Sequence, residues 1–511
     1  MTFRSILFDK TPEESNGVRL EPHDFLTDLN LDQIIDTITV NKKEYNLKPF
    51  FYTILNDVGT IEYRHEIMRD LEDANLFECI KAFAQKMSKM RQYFSLVEKL
   101  NHKHHKQGWF LQSVKIYCDA VKTLKNDLTI LDMRSKGLSA FREYLTGYVK
   151  SDRFISLKES IEKLDAGLSS VKYCVLINGL HVKVSKYESE PDYSVEVEKT
   201  FEKFKQGAAK DYRVKFPVMS GMNHVEEKIL DLVAKLYPEI FSSLDKFYLG
   251  NADFLDETIS VFEREIQFYL AYLEYAANFK QRGLKFCYPH VSRKCKDVYD
   301  FEGFDLALAN KLINENSSVV CNDFYLRDRE RIFVISGPNQ GGKTTFARTF
   351  GQLHYLASLG CPVPGSKARL FLFDKLFTHF EKEEDIRNLR GKLQDDLVRI
   401  YAILNQSTPN SIIIMNEIFS STTLKDAVFL SNKIMDKITQ LDLLCVWVTF
   451  IDELSSVSEK TVSMVSTVIP ENPVLRSFKI VRKPADGLSY ALSIAEKHRL
   501  TYDYLMERLQ L

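Results

Sequence analysis

Gly337, Gly342, Lys343 and Thr344 stand in the order G-x-x-x-x-G-K-T, inside the stretch RIFVISGPNQGGKTTFARTF that begins at Arg331. Glycines at these positions let backbone N–H groups turn inward around an anion, and a helix opening directly behind them adds the positive end of its dipole. A lysine here reaches the β- and γ-phosphates of a nucleotide, and the hydroxyl after it can hold Mg²⁺. The preceding Ile332–Ile335 run is short and mostly β-branched, as in a buried strand, and Thr345 to Phe350 reads as the start of a helix. Strand, glycine-rich loop and helix in this order form a phosphate cradle. The expected ligand is a nucleoside triphosphate, contacted by Gly337, Pro338, Asn339, Gln340, Gly341, Gly342, Lys343, Thr344 and Thr345.

A second polar group follows Ser411-Ile-Ile-Ile-Met, an apolar strand-like run that ends in Asn416 and Glu417. The C-terminal ends of parallel strands are where ligands sit. Glu417 is the catalytic candidate, placed to polarise an attacking water. Mg²⁺ would be held by Thr344 and Asn416. An amide can accept a hydrogen bond from metal-bound water but carries no charge, so metal affinity and turnover should both be weak. Next comes the hydroxyl run Ser420, Ser421, Thr422 and Thr423. Two readings stay open for it: a helix cap, or a set of contacts to a γ-phosphate, including that of a second subunit.

Four runs read as the buried strands that must position these groups: RIFVIS, RLFLF from Arg369, SIIIM from Ser411 and LLCVWVTF from Leu443. Helix-like segments separate them, which argues for a mostly parallel sheet covered on both faces. The chain before about residue 290 is mainly helical. Ile80, Phe83, Met87, Met90 and Phe94 share one helical face, as do Leu255, Ile259, Phe262, Ile266, Tyr269 and Leu273. KYCVLINGLHVKVSKY, from Lys172, interrupts this part with two β-rich runs about Asn178-Gly179, a strong hairpin signal. Helix resumes near His224. NHKHHKQGW, from Asn101, reads as a solvated turn. The fold class expected is therefore multidomain: a mainly α domain over 1–290 with a small β-element around 170–220, then an α/β P-loop domain over 291–511.

At 511 residues the chain exceeds what one hydrophobic core organises. Its formal net charge of -1 excludes a whole-chain basic field, so any nucleic-acid contact must come from a local patch. Lys183, Lys186, Lys203, Lys205, Lys210, Arg213 and Lys215, in or just after the β-element, could meet phosphates. Asp192, Glu196, Glu198 and Asp211 interleave with them, which is also the pattern of a solvated face. The eight cysteines include no C-x-x-C pair and suit buried thiols in a reducing, cytoplasmic setting. The start shows no signal-peptide core, and the apolar run from Leu443 is too short to span a bilayer, so no membrane partner is expected.

GPNQGGKTT, LASLGCPVPGSKARL, Asn322-Asp323, LFTHFEKEEDIRNLRGKLQDDL and NEIFSSTTLKDA together resemble the ATPase domain of the MutS mismatch-repair family over about residues 300–500. NDVGTIEYRHEIMRDLED, from Asn56, resembles the start of that family's lever helices. The resemblance implies an ABC-type P-loop ATPase domain preceded by a lever and core domain that transmits ATP state to a DNA clamp, with the hairpin as a reduced clamp. It implies a homodimer through the ATPase domains, in which Ser421, Thr422 and Thr423 face the partner's γ-phosphate. The departures are specific. Asn416 replaces an aspartate, Phe419 and Ser421 replace signature glycines, and Phe450 stands where the family has histidine. The mismatch-reading domain has no room before the lever. These features imply an ATP-switched DNA clamp with weak hydrolysis. Two rivals remain: an ATP-dependent protein scaffold, and a slow ATPase whose role is structural dimerisation.

Overall fold

The computed structural model describes residues 3–9, 18–179, 181–191, 193–202, 222–381, 391–469, 472–485 and 500–509. The chain forms two compact units, one of Met1–Phe3, Ala74–Met133 and Ser139–Glu263, the other of Arg4–Asp73, Arg134–Leu138 and Arg264–Leu511. Compactness therefore cuts the chain elsewhere than at the expected 290/291 boundary. Residues 4–73 belong with the C-terminal part.

The first unit is built on two long helices, Ala74–Lys99 and Lys103–Ile130. Ile80, Phe83, Met87 and Met90 fall on one face of the first and are buried, as their spacing requires. Phe110 and Tyr117 on the second pack edge-on against Phe254, and Phe110 against Phe247. The histidine-rich segment is not a turn. It opens the second helix, with the His102 ring accepting from the His105 N–H as an N-cap. Strands β1 (Tyr173–Asn178) and β2 (His181–Lys186) pair antiparallel, with Asn178 opposite His181, as the Asn-Gly signal implied. Helix returns at Tyr193–Glu202 and again at His224–Leu236, where Asn223 and Glu226 form a capping box. Of the basic patch, Lys183 and Lys186 lie on β2, whereas Lys203, Lys205, Lys210, Arg213 and Lys215 fall outside the described residues.

The second unit carries β3 (Phe286–Cys287), β4 (His290–Ser292), β5 (Val298–Gly303), β6 (Asn322–Leu326), β7 (Ile332–Ser336), β8 (Val363–Pro364), β9 (Lys367–Phe371), β10 (Leu376–His379), β11 (Ile412–Asn416), β12 (Leu444–Val448), β13 (Thr461–Ile469) and β14 (Asn472–Arg482). Its main sheet has the order β10-β11-β12-β7-β13-β14, parallel from β10 to β13, with β14 returning antiparallel as the edge. All residues of β7 and β12 are buried, which accounts for the apolar runs Ile332–Ile335 and Leu444–Val448. One expected member of this sheet is elsewhere. The RLFLF run supplies β9 of a separate mixed sheet, parallel to β4 and antiparallel to β5.

The helix after β7, Lys343–Ser358, is buried along most of its length. Residues of the Arg4–Asp73 segment line its back. Arg348 Nε donates to the Asp28 carbonyl at 2.9 Å and Gln352 Nε2 to that of Leu29 at 2.9 Å. The Tyr355 hydroxyl donates to the Phe51 carbonyl, and the Leu55 N–H donates to the Ser358 carbonyl at 3.0 Å. Arg64 Nη1 donates to the Leu359 carbonyl at 2.8 Å, just past the helix end. Among the described residues no helix is long and apolar enough to cross a membrane. All eight cysteines are free thiols.

Candidate functional site

Central strand β7 ends at Ser336, and the chain turns through Gly337–Gly342 into the helix at Lys343. The turn uses left-handed backbone at Gly337 (φ 110°), Gln340 (φ 58°) and Gly342 (φ 91°). Two glycines are required for room as well. A Cβ on Gly337 would lie 2.9 Å from the Ser466 carbonyl, and one on Gly341 would lie 2.1 Å from Ser466 Oγ. Ser466, fully buried on β13, donates to the Gly341 carbonyl at 2.7 Å and so holds the loop from below. Nothing local in the sequence marks Ser466, because its partner is 125 residues away.

Lys343 is 4% exposed. Its Nζ donates to the carbonyls of Gly337 (2.9 Å) and Pro338 (3.3 Å) and to Asn339 Oδ1 (3.2 Å), so the lysine closes the loop around its own ammonium. Glu417 Oε1 is 3.7 Å away. Burial draws the Lys343 ammonium below the usual lysine range, and the Glu417 carboxylate opposes that shift.

Asn416 ends β11, two strands from β7 in the sheet order, and Glu417 follows directly. The Thr344 hydroxyl donates to Asn416 Oδ1 at 2.8 Å. That bond uses the hydroxyl's one proton and leaves its oxygen lone pairs available, a donor set that fits a hard divalent cation. The charge that an aspartate would bring is missing. Glu417 sits at φ 50° and Phe419 at φ 62°. Phe419 thus keeps the left-handed backbone that a glycine favours while burying its ring in the core with Met415 and Trp447.

A cavity of about 240 Å³ opens on this group, walled by Gln340–Thr345, Glu417, Leu308 and Phe478. Leu308 and Phe478 were not legible as site residues. Phe478 is 48% exposed and has φ 57°. Asn322 fixes it: Nδ2 donates to the Phe478 carbonyl at 3.2 Å, and Oδ1 accepts from the Ile480 N–H at 2.8 Å. The structure thus brings the cradle, Asn416, Glu417 and Asn322 together. Ser421, Thr422 and Thr423 do not line the cavity. Thr423 N-caps the Leu424–Leu441 helix, accepting from the Asp426 N–H at 3.2 Å, while Ser421 lies exposed before it. Phe450 is half exposed beyond β12.

The chain is thus a multidomain protein of mixed helix and sheet, with a strand–loop–helix cradle in its C-terminal unit. Residues 333–505 match the domain family described as MutS domain V. Over 175 residues the chain is 31% identical to the DNA mismatch repair protein MutS of Rickettsia massiliae (strain Mtu5), covering 34% of this chain and 20% of that protein. It is 29% identical over 195 residues to that of Orientia tsutsugamushi (strain Boryong), 37% of this chain and 22% of the other. With that of Rickettsia bellii (strain OSU 85-389) it shares 34% identity over 145 residues, 28% and 16% of the two chains. The match spans about a fifth of the curated relatives' length.

Proposed function

We propose that the chain binds ATP at Gly337–Thr345 and acts as an ATP-switched dimeric clamp on DNA, in mismatch repair or a related branch of DNA metabolism. The observation that carries this reading is the buried Lys343, opening the helix that follows the central strand's glycine-rich turn, inside a match to MutS domain V. The relatives named above are DNA mismatch repair proteins, which supports the DNA half of the reading. In this proposal the helical part serves as lever and core, the β1–β2 hairpin is a reduced clamp, and no mismatch reader is needed. The setting is cytoplasmic.

Turnover would be slow. Glu417 accepts a proton from the attacking water, while Lys343 and the loop N–H groups hold the phosphates. Mg²⁺, held by Thr344 with Asn416 behind it, would supply charge neutralisation on the phosphate oxygens. Because Asn416 is uncharged, Glu417 is the one carboxylate among the described residues of the cavity wall, and it already faces Lys343.

The test is DNA binding by the purified chain, with and without ATP and Mg²⁺, on duplex, mismatched and four-way-junction DNA at two salt concentrations. ATP-modulated binding that weakens with salt is expected. No binding to any substrate would remove the clamp and favour a protein scaffold. Lys343→Ala should abolish ATP binding, and retained affinity would remove the site.

A further inference from the structure

We propose that the outer face of the small four-stranded sheet in the second unit is a platform for single-stranded nucleic acid, on which unpaired bases stack while flanking cations meet the phosphates. This sheet has the order β4-β9-β5-β6. Cross-strand partners share a face. His290 on β4 pairs in register with Arg369 on β9, Arg369 with Tyr299 on β5, and Tyr299 with Tyr325 on β6, so one row crosses all four strands. A second row beside it sets Lys367 opposite Phe301.

This face is aromatic where a solvent face is ordinarily polar. Along β5 the alternation runs inverted: Val298 and Asp300 are buried, whereas Tyr299 is half-buried and Phe301 is 38% exposed. A carboxylate inside and aromatic rings outside reverse the pattern that stabilises a sheet, and such breaks are expected where function keeps them. The rings of Tyr299 and Phe301 lie together, centroids 5.5 Å apart. Cations stand among them. Lys367 Nζ is 5.9 Å from the Tyr299 centroid, and the Arg327 and Arg482 guanidiniums each lie 4.5 Å from that of Tyr325. Glu330 holds Arg482 through both Nη atoms, which fixes that guanidinium in place. The acidic side chains exposed on these strands, Glu302 and Asp323, gather at the Gly303 end, where Lys285 pairs with Glu302 at 2.9 Å.

Bases splayed out of a helix offer their π-faces, and aromatic rings on an open sheet can stack two or three of them. Lysine and arginine between the rings supply phosphate contacts, which weaken with salt. A duplex keeps its bases stacked on each other and meets such a face with phosphates alone. The chemistry therefore fits a short unpaired strand. None of these residues walls the cavity at the glycine-rich loop, so the platform stands apart from the nucleotide reading and from the hairpin clamp.

Fluorescence anisotropy of the full chain with labelled oligothymidylate, oligouridylate and a duplex, each about twelve nucleotides long, tests this. Single strands are expected to bind, and the tighter of the two oligomers identifies the strand, DNA or RNA, that the platform takes. Phe301→Ala should weaken single-strand binding about tenfold, and Phe301→Trp should retain it. Lys367→Ala should weaken it too and lower its logarithmic salt slope by about 0.7, the value for one phosphate on a single strand. Duplex affinity and melting temperature should stay at the wild-type level in Phe301→Ala, which separates loss of the platform from loss of fold. Absence of single-strand binding, or binding that Phe301→Ala leaves unchanged, would overturn the inference and turn this face to a protein partner. Equal weakening of duplex and single strands by Phe301→Ala would exclude stacking and overturn it as well. Single-strand binding that depends on Phe301, with no duplex binding, would keep the platform and remove the duplex clamp.

Discussion

At the scale of single residues, the candidate metal position pairs a hydroxyl with an uncharged amide. Thr344 and Asn416 already meet at 2.8 Å, so Asn416→Asp adds a negative charge without asking for new geometry. It should raise Mg²⁺-dependent ATP turnover by about tenfold, about 1.4 kcal/mol of barrier, through stronger charge compensation. No rise in a steady-state phosphate-release assay would move the limit to Phe450 or to the signature hydroxyls. Glu417→Ala should leave ATP binding in place and remove turnover; unchanged turnover would exclude Glu417 as the base. A second residue tests the scaffold. Asp300, fully buried on β5, has no hydrogen-bond partner on either carboxylate oxygen. Burial raises its carboxyl well above the ordinary value of 3.8, with Asp323 and Glu302 adding to the shift. A folded-state pKa above the unfolded one means the folded chain holds the proton more tightly. Its stabilisation is complete below about pH 4 and is lost as pH rises toward the folded value. Asp300→Asn should therefore gain melting temperature over wild type progressively from pH 4 to pH 8. A difference that stays constant with pH would contradict this origin.

At the scale of elements, the cradle was legible because it is local. Fourteen consecutive residues carry strand, turn and helix start, and each glycine's purpose shows in the pattern. Strands β7, β11 and β12 were legible for a similar reason, since burial on both faces writes an unbroken apolar run. What escaped was everything set by distant partners. Strands β13 and β14 interrupt their apolar residues with Ser463, Ser466, Ser477 and Lys479, and these strands carry the loop's support and Phe478 of the cavity wall. The RLFLF run shows that it is buried but not which sheet takes it. Likewise, helical periodicity shows that residues near Arg64 have an inner face, not that this face covers the cradle helix 295 residues later. Arg64 is the sharpest test of that packing. Its Nε serves the Leu7 carbonyl at 3.0 Å and its Nη1 the Leu359 carbonyl at 2.8 Å, with Phe8 and Phe268 against the guanidinium. Arg64→Ala would strand both carbonyls and open a cavity, which should cost about 3–5 kcal/mol. Urea unfolding followed by ATP titration would measure it. A loss below about 1 kcal/mol would show that the residue 4–73 segment is not integral to the unit.

At the scale of the whole molecule, the described cavity is a site without its signature hydroxyls. Ser421 is exposed, and neither it nor Thr422 reaches the cavity in its own chain. If the proposed dimer forms, a two-fold axis lets each chain supply to its partner what it does not supply to itself. That arrangement makes a quantitative demand on mixtures. A Lys343→Ala chain has no working cradle but keeps an intact signature. A Ser421→Ala/Thr422→Ala chain keeps the cradle and, with Thr423 untouched, keeps its helix cap. Each alone should be inactive. Mixed in equal amounts and allowed to exchange, half of the dimers pair one chain of each kind. Each such dimer has one complete site out of two, so ATP turnover should recover to about a quarter of the wild-type level. Sites completed within one chain would give no recovery at any mixing ratio. Recovery that follows the product of the two chain fractions, peaking at equal amounts, is the dependence that only a shared site produces.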